Sequence, residues 1–398
     1  MSSKIIVAGV GMIKFAKPGA SKPYDEMGAD AASLALQDAG IAYTDIQQAA
    51  VGYVYGDSTC GQTALYRVGM SGIPIFNVNN NCSTGSSALF LARQMISSGA
   101  DCVLALGFEQ MQPGALKSHW DDRPSPFHRF DALCDDINPY PDIPLALRYF
   151  GGAGKEYMDT YGTGPELFAK VRAKASRHAE HNPLALFRKV VTEEEVLQSP
   201  IVFPAARLTR LMACPPTCGA AAAVLVSEDF AKKRGLDSRV SIVAQAMTTD
   251  APSSFSEHSM MKLVGSDMTR AAADQVYAQS GIGPEDVDVV ELHDCFAQNE
   301  VLSYEGLRLC EKGGAEKFVA DGNNTYGGTH VTNPSGGLLS KGHPLGATGL
   351  AQCTELVTQL RGNAEARQVA GARIGLQHNL GLGGACVVTM YKLEGREP

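Results

Sequence analysis

The run of local signals between Lys4 and Tyr55 recurs between Ser241 and Leu292. In the first copy an apolar strand pattern, Lys4 to Gly11, precedes a helix pattern from Asp25 to Asp38. Ala39-Gly40-Ile41, Asp45-Ile46 and a second strand, Ala49 to Tyr55, complete it. In the second copy the strand Ser241 to Ala246 precedes a helix pattern from Met268 to Gln279. Ser280-Gly281-Ile282, Asp286-Val287 and the strand Val289 to Leu292 come next. Gly40-Ile41 and Gly281-Ile282 are 241 residues apart, as are Asp45-Ile46 and Asp286-Val287. Later parts also correspond. Cys82-x-x-Gly85 and His343-x-x-Gly346 each precede a helix pattern, and Gly219 to Val226 and Gly383 to Met390 read as near-continuous buried strands. Such runs belong to sheets covered on both faces. The chain is therefore expected to be α/β, built from two βαβ-rich halves whose helices cover a mixed sheet.

The segment from about Pro113 to Phe203 fits neither copy. It reads as an insertion from the first half that caps the site. The expected domains are 1–112 with 204–236 as the first half, 113–203 as the insertion, and 237–398 as the second half. Within the insertion, Pro165 to Lys189 carries Lys170, Arg172, Lys174, Arg177, Arg188 and Lys189 against only Glu166 and Glu180. A basic island of this kind can attract a phosphorylated ligand, or it can be a solvated helix face.

The formal net charge of −8 argues against general nucleic-acid binding or an anionic membrane surface. The apolar run Ile5 to Ile13 is too short for a signal peptide, and no stretch approaches the ~18 apolar residues of a membrane span. Ten scattered cysteines read as reduced thiols in a cytoplasmic compartment. The terminal Arg396-Glu397-Pro398 is not a peroxisomal address.

Four places carry chemistry. Cys82 follows the strand pattern Ile75 to Asn81 and precedes a helix pattern, where backbone N–H groups and the helix dipole would favour a thiolate or hold an oxyanion. His293-Asp294-Cys295-Phe296 lies at a strand end, and alternation puts His293 and Cys295 on one face with Asp294 opposite. His343, in Lys341-Gly342-His343-Pro344, is expected at a helix N-terminus, whose dipole would keep it neutral and ready to accept a proton. The glycine-rich turn Gln377 to Gly384 can offer a backbone N–H to a ligand oxygen. The repeat relates the helix after Cys82 to the helix after His343 about a pseudo-twofold axis, which would bring both side chains together. Cysteine with histidine is the minimal activated nucleophile for acyl transfer, and Cys295 would supply a separate acid/base. Cys82, Cys295, His293 and His343 are also zinc-ligand types, but their local spacing matches no zinc ribbon, and no metal is expected. Gly9-Val10-Gly11 lacks the third glycine of a dinucleotide fingerprint, and Cys214-Pro215-Pro216-Thr217-Cys218 has no companion pair.

With these motifs the sequence resembles the thiolase superfamily, and specifically the sterol carrier protein type. The resemblance runs along nearly the whole chain, through Val51 to Asp57, Asn79-Asn80-Asn81-Cys82, His293-Asp294-Cys295-Phe296, Gly342-His343-Pro344 and His378-Asn379-Leu380-Gly381. It implies two βαβαβαββ halves in a five-layer αβαβα sandwich, an inserted loop domain that binds coenzyme A, and a homodimer. Ordinary thiolases carry Asn-Glu-Ala-Phe and a C-terminal Cys-x-Gly. Here the second thiol moves to Cys295, and Cys386 is assigned to packing. The implied activity is thiolytic cleavage of a 3-ketoacyl-CoA through an acyl-Cys82 intermediate. His343 would be the base, Cys295 the acid/base, and Cys82, Gly381, His293 and His343 the oxyanion holders. Coenzyme A is a co-substrate, and no permanently bound cofactor is implied. Its candidate contacts are Lys170, Arg172, Lys174, Arg177, Ser253 and Ser254. The rivals are a retro-aldolase, which would need no nucleophilic cysteine, a decarboxylating condensing enzyme, which would have no use for Cys295, and a non-catalytic lipid carrier.

Overall fold

The computed structural model describes residues 4–112, 114, 120–140 and 142–395. The reading of Arg396-Glu397-Pro398 thus lies outside the described residues. Strands β1 (Ile5–Met12), β2 (Gln48–Gly52), β3 (Ile75–Val78), β4 (Cys102–Glu109) and β7 (Gly219–Ser227) form the first half. A small ribbon, β5 (Ile201–Phe203) and β6 (Leu208–Thr209), stands apart. Strands β8 (Val240–Thr248), β9 (Val289–Glu291), β10 (Val331–Thr332), β11 (Ile374–Gly381) and β12 (Ala385–Leu393) form the second half. The strand order is β10-β9-β11-β12-β8-β1-β7-β4-β2-β3. Outward from the β1–β8 seam, both halves give the same order, so the duplication seen in the sequence is a structural pseudo-twofold. Among the described residues only Ile5–Ile242 and Ile6–Ser241 pair across the seam. In each half the outer pairs are parallel and the inner ones antiparallel.

The strands β4 and β7 are buried along their whole length, because helices cover both faces. On one outer face, Ala31 and Ala35 of the helix Tyr24–Ala39 pack against Ala8, Ala222 and Leu106. In the middle, Leu89 and Ile96 of the helix Thr84–Ser97 and Leu350 and Leu356 of the helix Thr348–Leu360 lie between the two half-sheets. On the other outer face, Ala272 and Val276 of the helix Ser266–Ser280 pack against Leu376 and Val388. These are the five layers, αβαβα. The two outer helices end alike, at Gly40 and Gly281, each with φ 69°. That left-handed conformation closes the last turn and suits glycine. The central helices cross near their starts, where a Cβ on Gly349 would lie 2.2 Å from the Ser86 backbone nitrogen.

Most expected elements stand within a residue or two of their observed bounds. Two are shorter. The strand expected to reach Tyr55 ends at Gly52, and the one expected to reach Asn81 ends at Val78. Gly383 and Gly384, expected to open the last strand, instead form its hairpin turn, with φ 91° and 97°. The described part of the insertion packs on the second half. Phe150, in the helix Leu145–Tyr161, stacks on Phe296 with ring centroids 4.9 Å apart. Cys386 is buried in β12, as expected, with its sulfur 3.8 Å from Thr269 Oγ1. Among the described residues no helix is long and apolar enough to cross a membrane.

Candidate active site

Two corresponding corners present the reactive side chains. After β3 the chain turns through Asn81, whose φ is 50°, to Cys82, and the helix begins at Thr84. In the second half Gly342, with φ 114°, precedes His343. A left-handed residue thus precedes both. His343 is not at the helix start as expected, however, because that helix begins five residues later at Thr348. The corners face each other across the seam. Ligand-type atoms of Cys82, His293 and His343 lie within 4.8 Å of one another, and the two imidazole rings are 5.1 Å apart at 83°.

His343 has a defined tautomer. Its Nδ1 lies 2.6 Å from Thr348 Oγ1, and that hydroxyl donates its proton to the Pro344 carbonyl at 2.9 Å. The threonine oxygen must therefore accept from Nδ1–H, which leaves Nε2 as a bare acceptor. Among the described residues Nε2 is buried and has no hydrogen-bond partner. Burial pushes the His343 pKa down to about 3, so the ring rests neutral. The expectation of a neutral base stands, but its cause is desolvation rather than the helix dipole.

For Cys82 the structure reverses the sequence expectation. Burial pushes its thiol up to about 12, the Glu109 carboxylate adds to the shift, and only its own backbone N–H opposes it. The helix start does not outweigh desolvation, so the resting site is a neutral thiol beside a neutral imidazole.

His293 lies two residues beyond β9, fully buried, and its Nδ1 is 3.0 Å from Asn379 Nδ2. Burial, then His343 and His378, hold its pKa well below the usual range. Asp294 turns away, as alternation predicts, and accepts from the backbone N–H groups of Leu338 and Leu339 at 2.7 and 3.3 Å. Cys295 is buried beside the cluster but is not one of its three members. Burial, then Cys214 and Cys82, push its thiol up. Its carbonyl accepts from Cys214 N–H at 2.9 Å. The α-carbon of Gly381 is pressed against the Cys82 corner, and a Cβ there would meet the Asn80 carbonyl oxygen at 2.2 Å. A cavity of 560 Å³ opens beside the corner, lined by Tyr55, Asn81, Trp120, Phe127, Leu145 and Leu382 among others.

The basic island does not hold together. Lys174 is 2% exposed and is engaged by Glu300 and Thr332. Arg172 is 3% exposed and donates to Ser340 Oγ at 2.9 Å. Both point inward from the helix Glu166–Ala179, so neither is the surface phosphate contact expected from sequence. Arg177 is exposed and Lys170 half-buried on the same helix. Ser253 donates to Asp267 at 2.5 Å, and Ser254 is buried with its hydroxyl beside Asp250.

Sequence reading did not select Thr348, Asn379 or Glu109. Thr348 follows Gly342-His343-Pro344 and Asn379 lies within His378-Asn379-Leu380-Gly381, beside residues with a stronger chemical signal. Glu109 ends a strand and carried no local signal.

A model of the thiolase N-terminal domain matches residues 5–229, and one described as thiolase C-terminal domain-like matches 251–391. Sterol carrier protein 2 of Oryctolagus cuniculus is 55% identical, covering 98% of this chain and 72% of that protein. Among solved structures, the Ltp2-ChsH2(DUF35) aldolase superposes with a TM-score of 0.83 at 22% identity, over 99% of both chains. Human mitochondrial 3-ketoacyl-CoA thiolase in complex with CoA superposes with a TM-score of 0.75 at 18% identity, over 99% of this chain and 98% of that one. With both family domains in order and a relative this similar across 98% of the chain, the chain belongs to the thiolase family, in its sterol carrier protein type.

Proposed function

We propose that the chain is a 3-ketoacyl-CoA thiolase working through an acyl-Cys82 intermediate. The observation that carries this is the cluster of Cys82, His293 and His343, in which the buried Nε2 of His343 has no partner among the described residues. His343 Nε2 takes the thiol proton, and the sulfur attacks the 3-keto carbon. Backbone N–H groups of Cys82 and Gly381 hold the oxyanion. The C2–C3 bond breaks, and its electron pair leaves as the enolate of acetyl-CoA, or of propionyl-CoA from a 2-methyl substrate. His293 and the now protonated His343 donate to the enolate oxygen, and the Cys295 thiol protonates C2. Coenzyme A then gives its thiol proton to Cys295 and takes the acyl group from Cys82, whose sulfur recovers a proton from His343. This is ping-pong acyl transfer.

Coenzyme A as co-substrate is supported by the human thiolase of the same fold, solved with CoA. The setting is degradation of fatty, branched or sterol side-chain acyl groups, in a cytoplasmic compartment that keeps the ten free cysteines reduced. A homodimer fits the edge strand β3, which leaves Phe76 47% exposed. The described part of the insertion caps the site in this reading, with Trp120, Phe127 and Leu145 lining the cavity beside the Cys82 corner.

The test is Cys82→Ala under saturating 3-ketoacyl-CoA and CoA, with mass spectrometry for an acyl adduct on the native enzyme. Loss of thiolysis and an adduct on Cys82 are expected; retained thiolysis overturns the reading. A zinc centre is the second reading, because one sulfur and two imidazole nitrogens are the donors zinc takes. Stoichiometric zinc, with activity lost to a chelator, would favour it.

A further inference from the structure

The hydrogen-bond chain behind His293 starts at a group whose role is fixed. The Gly349 carbonyl can only accept, and Gln377 Nε2 lies 2.7 Å from it. The other end of Gln377, Oε1, accepts from Tyr391 OH at 2.5 Å. The Gly349 carbonyl therefore fixes the orientation of Gln377, and the tyrosine hydroxyl donates to match it. Its Nε2 also donates to Ser86 Oγ at 2.8 Å, so the serine proton is free to go elsewhere. It goes to Asn379 Oδ1, 2.9 Å away. Asn379 Nδ2 then faces two partners. One is the Cys82 carbonyl at 3.1 Å, which again can only accept and fixes the amide independently. The other is His293 Nδ1 at 3.0 Å. A ring nitrogen facing an amide donor must carry the lone pair.

We propose that Asn379 is a positioning residue that holds His293 in its Nε2–H tautomer and ties that ring to the Cys82 corner. This rests on the thiolase reading for its catalytic consequence, but not for the tautomer itself. The two imidazoles are then made complementary by their surroundings. Thr348 leaves His343 with a bare Nε2, and Asn379 leaves His293 with a protonated one. One neutral ring accepts the Cys82 proton while the other donates to the enolate oxygen. The asymmetry needs no charged histidine, in keeping with the burial of both rings.

The test is ¹⁵N NMR of protein labelled in histidine, with the His293 signals assigned by their loss in His293→Gln. The expected spectrum has Nε2 protonated and Nδ1 bare. A protonated Nδ1, or rapid averaging between tautomers, overturns the proposal. Asn379→Asp puts an acceptor where the donor stood, and should move the proton to Nδ1. Its kcat should fall on the order of 10²–10⁴-fold with KM changed far less, the scale of a lost oxyanion donor or a wrong histidine tautomer. Lost activity with an unchanged tautomer would also overturn the proposal. If that variant fails to fold, the wild-type spectrum still decides. The spectra need no substrate, so absence of thiolysis would sink the functional reading and leave the tautomer result standing.

Discussion

Glu109, at the end of β4 in the first half, accepts the Gly346 backbone N–H of the second half at 3.0 Å. The same carboxylate accepts from Tyr55 and Val54 at 3.0 and 3.1 Å, so one buried side chain fastens a cavity wall to the corner that carries His343. Burial pushes its pKa from 4.5 up to about 7, against the pull of those three N–H groups. The folded state therefore keeps a proton that the unfolded chain releases. The resulting stability is fully present below about pH 4.5 and is lost as pH rises through 7. The span is worth about 3 kcal/mol at most. Thermal unfolding measured from pH 4.5 to 8 should show this loss. Glu109→Gln should flatten the dependence and, by facing an N–H with an amide nitrogen, cost about 1–3 kcal/mol. An unchanged pH slope in the variant would show that Glu109 does not titrate in this way.

Thr348→Val should leave the fold intact and strip His343 Nδ1–H of its acceptor. A buried donor left unpaired costs about 1–3 kcal/mol, so kcat/KM for thiolysis should drop roughly 5–150-fold. Thr348→Ser keeps the hydroxyl and should restore most of the rate. If valine and serine behave alike, the hydroxyl does not hold the base.

The neutral resting state of Cys82 is visible to an alkylating reagent. With the thiol pushed up to about 12, the thiolate fraction should keep rising about tenfold per pH unit beyond pH 9. The rate of iodoacetamide labelling at Cys82, read by mass spectrometry, should track it. A plateau near neutral pH would mean a preformed thiolate and would contradict the dominance of desolvation.

Lys174 separates two roles that sequence alone could not. As a buried partner of Glu300, its loss in Lys174→Met should destabilise by about 3–5 kcal/mol, because the carboxylate is left uncompensated. As a phosphate contact, its loss would instead raise the KM for CoA at unchanged melting temperature. Denaturant unfolding and CoA kinetics on the same preparation distinguish these outcomes. The first is expected.

The repeat and the motifs are local properties of the chain, and their consequences could be read without coordinates. Equal spacing of Gly40 and Gly281 gives two similar halves, since each glycine ends a helix that must fold back on its own strand. Cys82 and His343 occupy matching places in those halves, so their approach across the seam was legible in the same way. Charge accessibility was not legible. Lys170, Arg172, Lys174 and Arg177 share one short stretch, yet the packing of that helix on the second half buries two of them and leaves Arg177 exposed. Proton positions were equally out of reach. The thiol and the rings take their states from burial, and the rings take their tautomers from Thr348 and from the path Gly349, Gln377, Ser86 and Asn379. Those partners lie in different segments, and only tertiary packing sets the dielectric and the hydrogen-bond direction at an atom.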